Sequence, residues 1–150
     1  LNQVVFDTLV QKDILIGECN REGLMQPVFA EFYNQEYGSY IPDQETLPLL
    51  IAKGNHYRIV IVMATWCSDS KEQVPRFLKI ADSIGFAESD IQIISVDKKK
   101  NAPDFEEDLL RYNIELVPTF IYFRGENEIG RIVETPVGSL ETDWLKILEN

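Results

Sequence analysis

A chain of 150 residues, 45% hydrophobic and 26% charged, has the size of one ordinary domain and can bury a core without disulfide or metal staples. Acidic residues outnumber basic ones 25 to 14, and the net charge of −11 disfavours nucleic-acid phosphates and anionic membrane surfaces as partners. No apolar stretch approaches the roughly 20 residues that cross a bilayer, two cysteines cannot build a disulfide framework, and a single histidine leaves no zinc-ligand cluster, so neither metal nor other cofactor is expected.

After an opening Val4-Val5-Phe6, residues 1 to about 53 carry little strand pattern. Helical spacing in Val28, Phe29, Phe32 and Tyr33, and again in Leu47, Leu49, Leu50 and Ile51, predicts a helical N-terminal segment. Cys19, after Ile14-Leu15-Ile16-Gly17-Glu18, reads as a half-buried thiol behaving as a small hydrophobe, with a distant resolving thiol as the alternative. Pro42 breaks the segment, and Asp43 is a candidate cap for its second helix. Phe29, Phe32, Tyr33, Tyr37 and Tyr40 are read as packing this segment onto the main sheet. His56, between Asn55 and Tyr57, has no second ligand or nucleophile beside it and is read as a solvated loop residue.

From Tyr57 onward strands and helices alternate, which predicts a layered α/β domain. Arg58 to Ala64 reads as a buried strand. Lys71 to Ile84 reads as a helix that tolerates Pro75 near its first turns and stops at Gly85. Ile91 to Val96 is a second buried strand, followed by Asp97-Lys98-Lys99-Lys100, read as a solvated charge run. Pro103 starts a helix over Asp104 to Tyr112, with acidic residues in its first turns as the helix dipole favours. Thr119 to Phe123 and Glu128 to Val133 are two strands joined by a hairpin turn around Gly125. Ser139 caps a closing helix through Leu148.

Trp66-Cys67-Ser68-Asp69-Ser70 directly follows the first of these buried strands. A strand that ends in a small turn opening a helix puts Cys67 at the helix N-terminus, where unpaired backbone N–H groups and the dipole favour a thiolate. Asp69 opposes them with its charge, and the Ser70 hydroxyl is expected to assist. The element order, Trp-Cys-x-x-Ser after the first strand of the alternating part, and Val117-Pro118-Thr119 before the third resemble the thioredoxin superfamily, over about two-thirds of the chain. Pro75 matches the kink proline of that superfamily's active-site helix, Val117-Pro118-Thr119 its cis-proline loop, and Gly138 a further landmark before the last helix. More narrowly, Thr65-Trp66-Cys67-x-Asp69 followed by Val74-Pro75 is similar to a bacterial thioredoxin-like group with a helical N-terminal extension, most of whose members keep a second cysteine.

The resemblance implies a three-layer α/β/α sandwich of one domain, with residues 1–55 as a helical N-terminal extension and residues 56–150 as the thioredoxin-like core. It implies that Pro118 is cis and lies against Cys67, and that Val117 offers its backbone to an extended client segment as an added strand; the alternative is a trans proline that starts an edge strand. Two positions depart from the dithiol pattern together. Ser70 stands where the resolving cysteine belongs, and Ile61, six residues before Cys67, stands where dithiol members bury an aspartate that helps deprotonate that cysteine. The expected function is therefore monothiol thiol–disulfide exchange. Cys67 forms mixed disulfides with a thiol- or disulfide-containing protein or a glutathione-like small thiol, an external thiol resolves them, and Trp66 and Ser70 support the motif. The alternative of another class is a redox-inactive binding module that docks partners through Trp66, Val117 and Pro118; a weaker third is glutathione or iron–sulfur binding as in monothiol glutaredoxins. Leu1 in place of a Met suggests a trimmed mature end and a bacterial extracytoplasmic location, with a cytoplasmic one as the alternative.

Overall fold

The structure, a computed structural model, describes residues 1–150. Its centre is β3 (Arg58–Met63), a run of apolar residues buried on both faces after Arg58, as a strand covered from both sides requires. On one side β3 pairs in parallel with β4 (Ile91–Ser95); on the other it pairs antiparallel with β5 (Thr119–Arg124). β6 (Asn127–Val133) returns from β5 through a turn in which Gly125 takes φ +59°. The full six-stranded order is β1-β2-β4-β3-β5-β6.

The N-terminal segment departs from the helical reading. It opens with a β-hairpin, β1 (Gln3–Asp7) and β2 (Lys12–Cys19), and only then turns helical through α1 (Arg21–Leu24), α2 (Ala30–Ser39) and α3 (Thr46–Ala52). The hairpin turn lacks an Asn-Gly or Gly-rich signal. It is closed instead by the Asp7 carboxylate, which accepts from the N–H groups of Leu9 (2.7 Å) and Val10 (3.2 Å), and by Gln11 at φ +58°. β2 then changes partner: Lys12 to Ile16 pair with β1, and Gly17 to Cys19 pair with β4. The change falls at Gly17, whose φ of +84° suits glycine.

α4 (Ser68–Ser83) and α6 (Leu140–Leu148) cover one sheet face; α5 (Glu106–Arg111) covers the other. On the first face Phe77 of α4 stacks between Phe120 (4.4 Å) and Trp144 (4.7 Å), and the Trp144 indole N–H donates to the Tyr57 hydroxyl at 3.0 Å. Ser139 and Thr142 form a reciprocal capping box that starts α6. α4 stops at Gly85, φ +70°, where the Phe86 N–H reaches back to the Ala81 carbonyl.

The aromatic residues of the N-terminal segment pack it onto α4 rather than onto the sheet itself. Phe29 is fully buried in the α4–α6 core, and Tyr33 and Tyr37 stack on each other at 5.4 Å. Asp82 of α4 gathers a bidentate pair from Arg21 (2.7 and 3.0 Å) and the Tyr37 hydroxyl. Arg76 reaches back to Glu36 at 2.9 Å. At the other end, buried Glu141 in the first turn of α6 accepts from the Tyr40 hydroxyl (2.6 Å) and from the Asp43 N–H (2.7 Å). The N-cap of α3 is Glu45 rather than the expected Asp43, which lies two residues earlier and accepts from the Thr46 hydroxyl at 2.5 Å.

Burial alone pushes the Asp82 carboxyl up, but hydrogen bonds from Arg21 and Tyr37 together with the Arg21 charge hold it below the ordinary carboxylate range. A depressed folded-state pKa contributes stability above the unfolded value of about 3.9, and that stability is lost as pH falls through the folded one. Asp82→Asn is therefore expected to lower stability at pH 7 by about 1 kcal/mol or less, because the pair is partly solvent-screened. The gap from the unsubstituted protein should close on acidification below about pH 4; urea unfolding across pH 3–7 measures it, and a gap that persists at pH 3 counts against this account.

Candidate active site

Three loops meet at one edge of the sheet, and the strand register explains why. β3 and β4 run parallel with Met63 opposite Ser95, so the segments that leave them emerge side by side, while antiparallel β5 begins at the same edge with Thr119 opposite Val62. Residues 64–67, 96–101 and 116–118 are thereby adjacent.

Cys67 is the N-cap of α4, in extended conformation (φ −93°, ψ 126°), and is half-buried. Its N–H donates to the Ala64 carbonyl at 3.2 Å and its carbonyl accepts from Lys71 at 3.0 Å, so the residue is fixed at both ends of its own peptide unit. The thiol lies against the neighbouring loop, donating to the Val117 carbonyl at 3.5 Å. The Val117–Pro118 peptide is cis, Val117 and Pro118 are buried, and the Val117 N–H has no partner within the chain. Thr119 fastens this loop through its hydroxyl to the Leu116 carbonyl at 2.6 Å, and Glu134 donates to the Pro118 carbonyl at 2.7 Å. Pro75, buried in α4, has no N–H for the Lys71 carbonyl one turn earlier.

Ser70 is fully buried. Its hydroxyl oxygen accepts from the Ala64 N–H at 3.1 Å, and no hydrogen bond joins it to the Cys67 thiol. The role visible in the geometry is mechanical: Ser70 ties the last residue of the central strand to the first turn of α4. The Trp66 indole N–H donates to the Val96 carbonyl at 3.1 Å. Ile61 is fully buried in the α4–α6 core with Val74 and Phe77. Thr65, also buried, leaves its hydroxyl without a partner.

Two residues look different in three dimensions. Lys98, read as part of a solvated run, is exposed and in addition places its ammonium 4.4 Å from the centre of the Trp66 ring; the sequence hint was that parallel neighbours such as β3 and β4 end at the same edge. Cys19 is more than half-buried. It is 5% exposed, donates to the Gly17 carbonyl at 3.4 Å, and burial pushes its thiol up to about 12. It belongs to the α4–α6 core, whereas Cys67 packs against the core of the opposite face, and both cysteines are free. A concavity of about 440 Å³ lies between the β1–β2 hairpin and residues 97–103, and neither Trp66 nor Cys67 lines it.

A mixed sheet flanked by helices, with a cysteine at the N-terminus of a proline-kinked helix and a cis X-Pro loop against it, is the thioredoxin fold. A thioredoxin family model matches residues 42–146, and the chain belongs to the thioredoxin family. Over 92 residues it is 29% identical to Thioredoxin H2-1 of Oryza sativa subsp. japonica, covering 60% of this chain and 61% of that protein. It is 31% identical over 76 residues to Thioredoxin Y, chloroplastic, of the same plant, covering 51% and 41%. The chain thus spans about three-fifths and two-fifths of the length of these curated relatives. Among solved structures, a protein of unknown function from Pseudomonas aeruginosa is similar with a TM-score of 0.51 at 21% identity, over 83% of this chain and 81% of that one. An HIV epitope-scaffold protein is similar at 0.53 and 20% identity, over 83% and 84%. At such identities the likeness is one of fold.

Maleimide labelling at neutral pH followed by peptide mapping is expected to modify Cys67 and spare Cys19; equal labelling of native protein at both sites counts against the burial assigned to Cys19. Ser70→Ala removes the acceptor of the buried Ala64 N–H and is expected to cost about 1–3 kcal/mol in chemical unfolding. A loss near zero would mean that the bond does not hold the junction.

Proposed function

We propose that this protein is a monothiol thiol–disulfide exchange protein in which Cys67 is the catalytic nucleophile. The observation that carries the reading is the Cys67 thiol, half-buried at the α4 N-terminus and resting on the Val117 carbonyl, with the position one turn further filled by a serine hydroxyl bonded to the backbone. The Cys67 thiolate attacks one sulfur of a client or small-molecule disulfide, forming a mixed disulfide and expelling the other sulfur as a thiolate. No second thiol stands in the helix to release the client. An external thiolate, or the client's own second thiol, attacks the mixed disulfide, forms a new disulfide with the client sulfur and restores the Cys67 thiolate. An external thiol lacks the effective concentration of an internal one, so resolution is slow and the mixed disulfide is long-lived.

Client docking is assigned to the segment around Val117 and Pro118. The unpaired Val117 N–H faces no partner of this chain, and an extended segment that supplies a carbonyl there pairs as an added strand. Leu116, exposed beside it, and Trp66 give the same rim an apolar character. Trp66, held to Val96, shapes the rim and takes no part in the sulfur chemistry.

Intact-mass analysis after incubation with oxidised glutathione at about pH 6 and pH 8 tests the reading. The expected result is a single glutathione adduct, absent in Cys67→Ala and cleared by added thiol. No adduct at either pH, or equal modification of Cys19 and Cys67, overturns the exchange function and favours a redox-inactive binding module.

A further inference from the structure

The turn after β4 puts three of the chain's 14 cationic side chains in consecutive positions beside the Cys67 loop, in a protein whose net charge is −11. Lys98 lays its ammonium over the Trp66 ring at 4.4 Å, and Trp66 is both the residue before Cys67 and bonded to Val96 at the root of the same turn. The Lys100 N–H donates to the Asp97 carbonyl at 2.9 Å, and the Asp97 carboxylate accepts from the N–H groups of Lys99 and Asn101, each at 2.9 Å. From β1 the Asp7 carboxylate reaches across to accept from the Lys98 N–H at 3.4 Å while it holds Leu9 and Val10.

The Asp7 and Asp97 carboxylates thus accept from backbone donors of this turn while keeping their charge, and the Asp7 charge acts on Lys98. None of Lys98, Lys99 and Lys100 forms a salt bridge, and Lys98 and Lys99 are exposed. The opposing charge on the cysteine's own helix is Asp69, in the first turn of α4. Exposed charges beyond a Debye length of about 10 Å at 0.1 M salt are screened, so the net charge of the whole surface does not by itself fix the field at Cys67.

We propose that the Lys98–Lys100 turn is a carboxylate-recognising edge of the Cys67 site, so that the favoured thiol or disulfide partner carries an anionic group beside its reacting sulfur. The proposal rests on the exchange reading above and adds the class of partner. A lysine ammonium held against an aromatic face keeps donors free for a carboxylate. A small carboxylated disulfide and an acidic peptide disulfide present the same chemistry.

The test compares alkylation of Cys67 by iodoacetate and by iodoacetamide, which lose iodide to the same thiolate attack and differ in charge. Initial rates are read by intact mass on the whole protein at low salt. The ratio of the iodoacetate to the iodoacetamide rate is expected to be about three- to tenfold higher than in Lys98→Gln/Lys99→Gln/Lys100→Gln. In the unsubstituted protein it should fall towards the variant's value at about 0.5 M salt, a measurement that stands even where the variant fails to fold. A ratio that is unchanged in the variant and rises with salt, as the net negative charge alone dictates, overturns the proposal. Exchange rates with dithiodipropionate, hydroxyethyl disulfide and a disulfide of an acidic peptide form the second arm, and faster reaction of either anionic compound than of the neutral one identifies which source the edge serves. Exchange that proceeds with no preference for charge sinks the lysine edge alone. A high iodoacetate ratio with no exchange on any disulfide sinks the exchange function and leaves the anion-recognising edge in place.

Discussion

The hydrogen bond from the Ala64 N–H to the Ser70 hydroxyl is the constraint on which the site depends. β3 is buried on both faces and flanked by β4 and β5, so its end is firmly held. Ser70 transfers that rigidity to α4, and the Cys67 N–H closes the same turn on the Ala64 carbonyl. The strands on either side carry the lysine turn and the Val117–Pro118 loop away from the same edge. Fixing one junction therefore fixes three loops relative to one another. A thiol that must meet a carbonyl at 3.5 Å tolerates little play in the turn that holds it.

The N-terminal segment supports that junction from behind. The hairpin, α1 and α2 lie outside residues 42–146, yet their polar contacts converge on α4 and on the turn after β4. Asp82 and Arg76 anchor α2 along the back of α4, and Asp7 grips the backbone of Lys98. Glu141 places a carboxylate in the first turn of α6, where the helix dipole favours a negative charge, and its partners Tyr40 and Asp43 tether the chain between α2 and α3. These contacts are local ion pairs and hydrogen bonds worth little singly. Their effect is positional: the helix that bears the cysteine is held by the sheet on one face and by α2 on another.

What the sequence disclosed followed local signals. Largely apolar runs marked β3, β4 and β5, Ser139 marked the start of α6, Gly85 marked the end of α4, and Trp66-Cys67 after a buried strand marked the candidate site. What stayed hidden depends on partners distant in the chain. The β1–β2 turn is closed by a carboxylate rather than by glycine, and β2 is a strand because Gly17 to Cys19 meet Ser95 to Ile93, a pairing that no local window contains. The expectation that Ser70 assists the thiolate came from its spacing. In the structure its hydroxyl oxygen accepts from the Ala64 N–H, a buried backbone donor at the end of the central strand that needs such a partner. Lys98 is exposed, as its charge run implied, but its contact with Trp66 stayed hidden because that ring lies 32 positions earlier and meets it only through strand register.

The surroundings of Ile61 and Ser70 bear on which other side chains those two positions could hold. Ile61 lies wholly inside the α4–α6 core, opposite Phe120 and Ile93 on the neighbouring strands and in one cluster with Val74 and Phe77. An ionised carboxylate there would face apolar side chains and lose its hydration without a hydrogen-bond donor in return. A second sulfur at position 70 would in turn sit fully buried, where desolvation opposes the thiolate, with no carboxylate nearby to take its proton. Either change alone leaves the second half of a dithiol cycle incomplete, and the sulfur change also removes the acceptor of the Ala64 N–H. The serine at position 70 instead gives its hydroxyl oxygen to the Ala64 N–H and so braces the turn that carries Cys67.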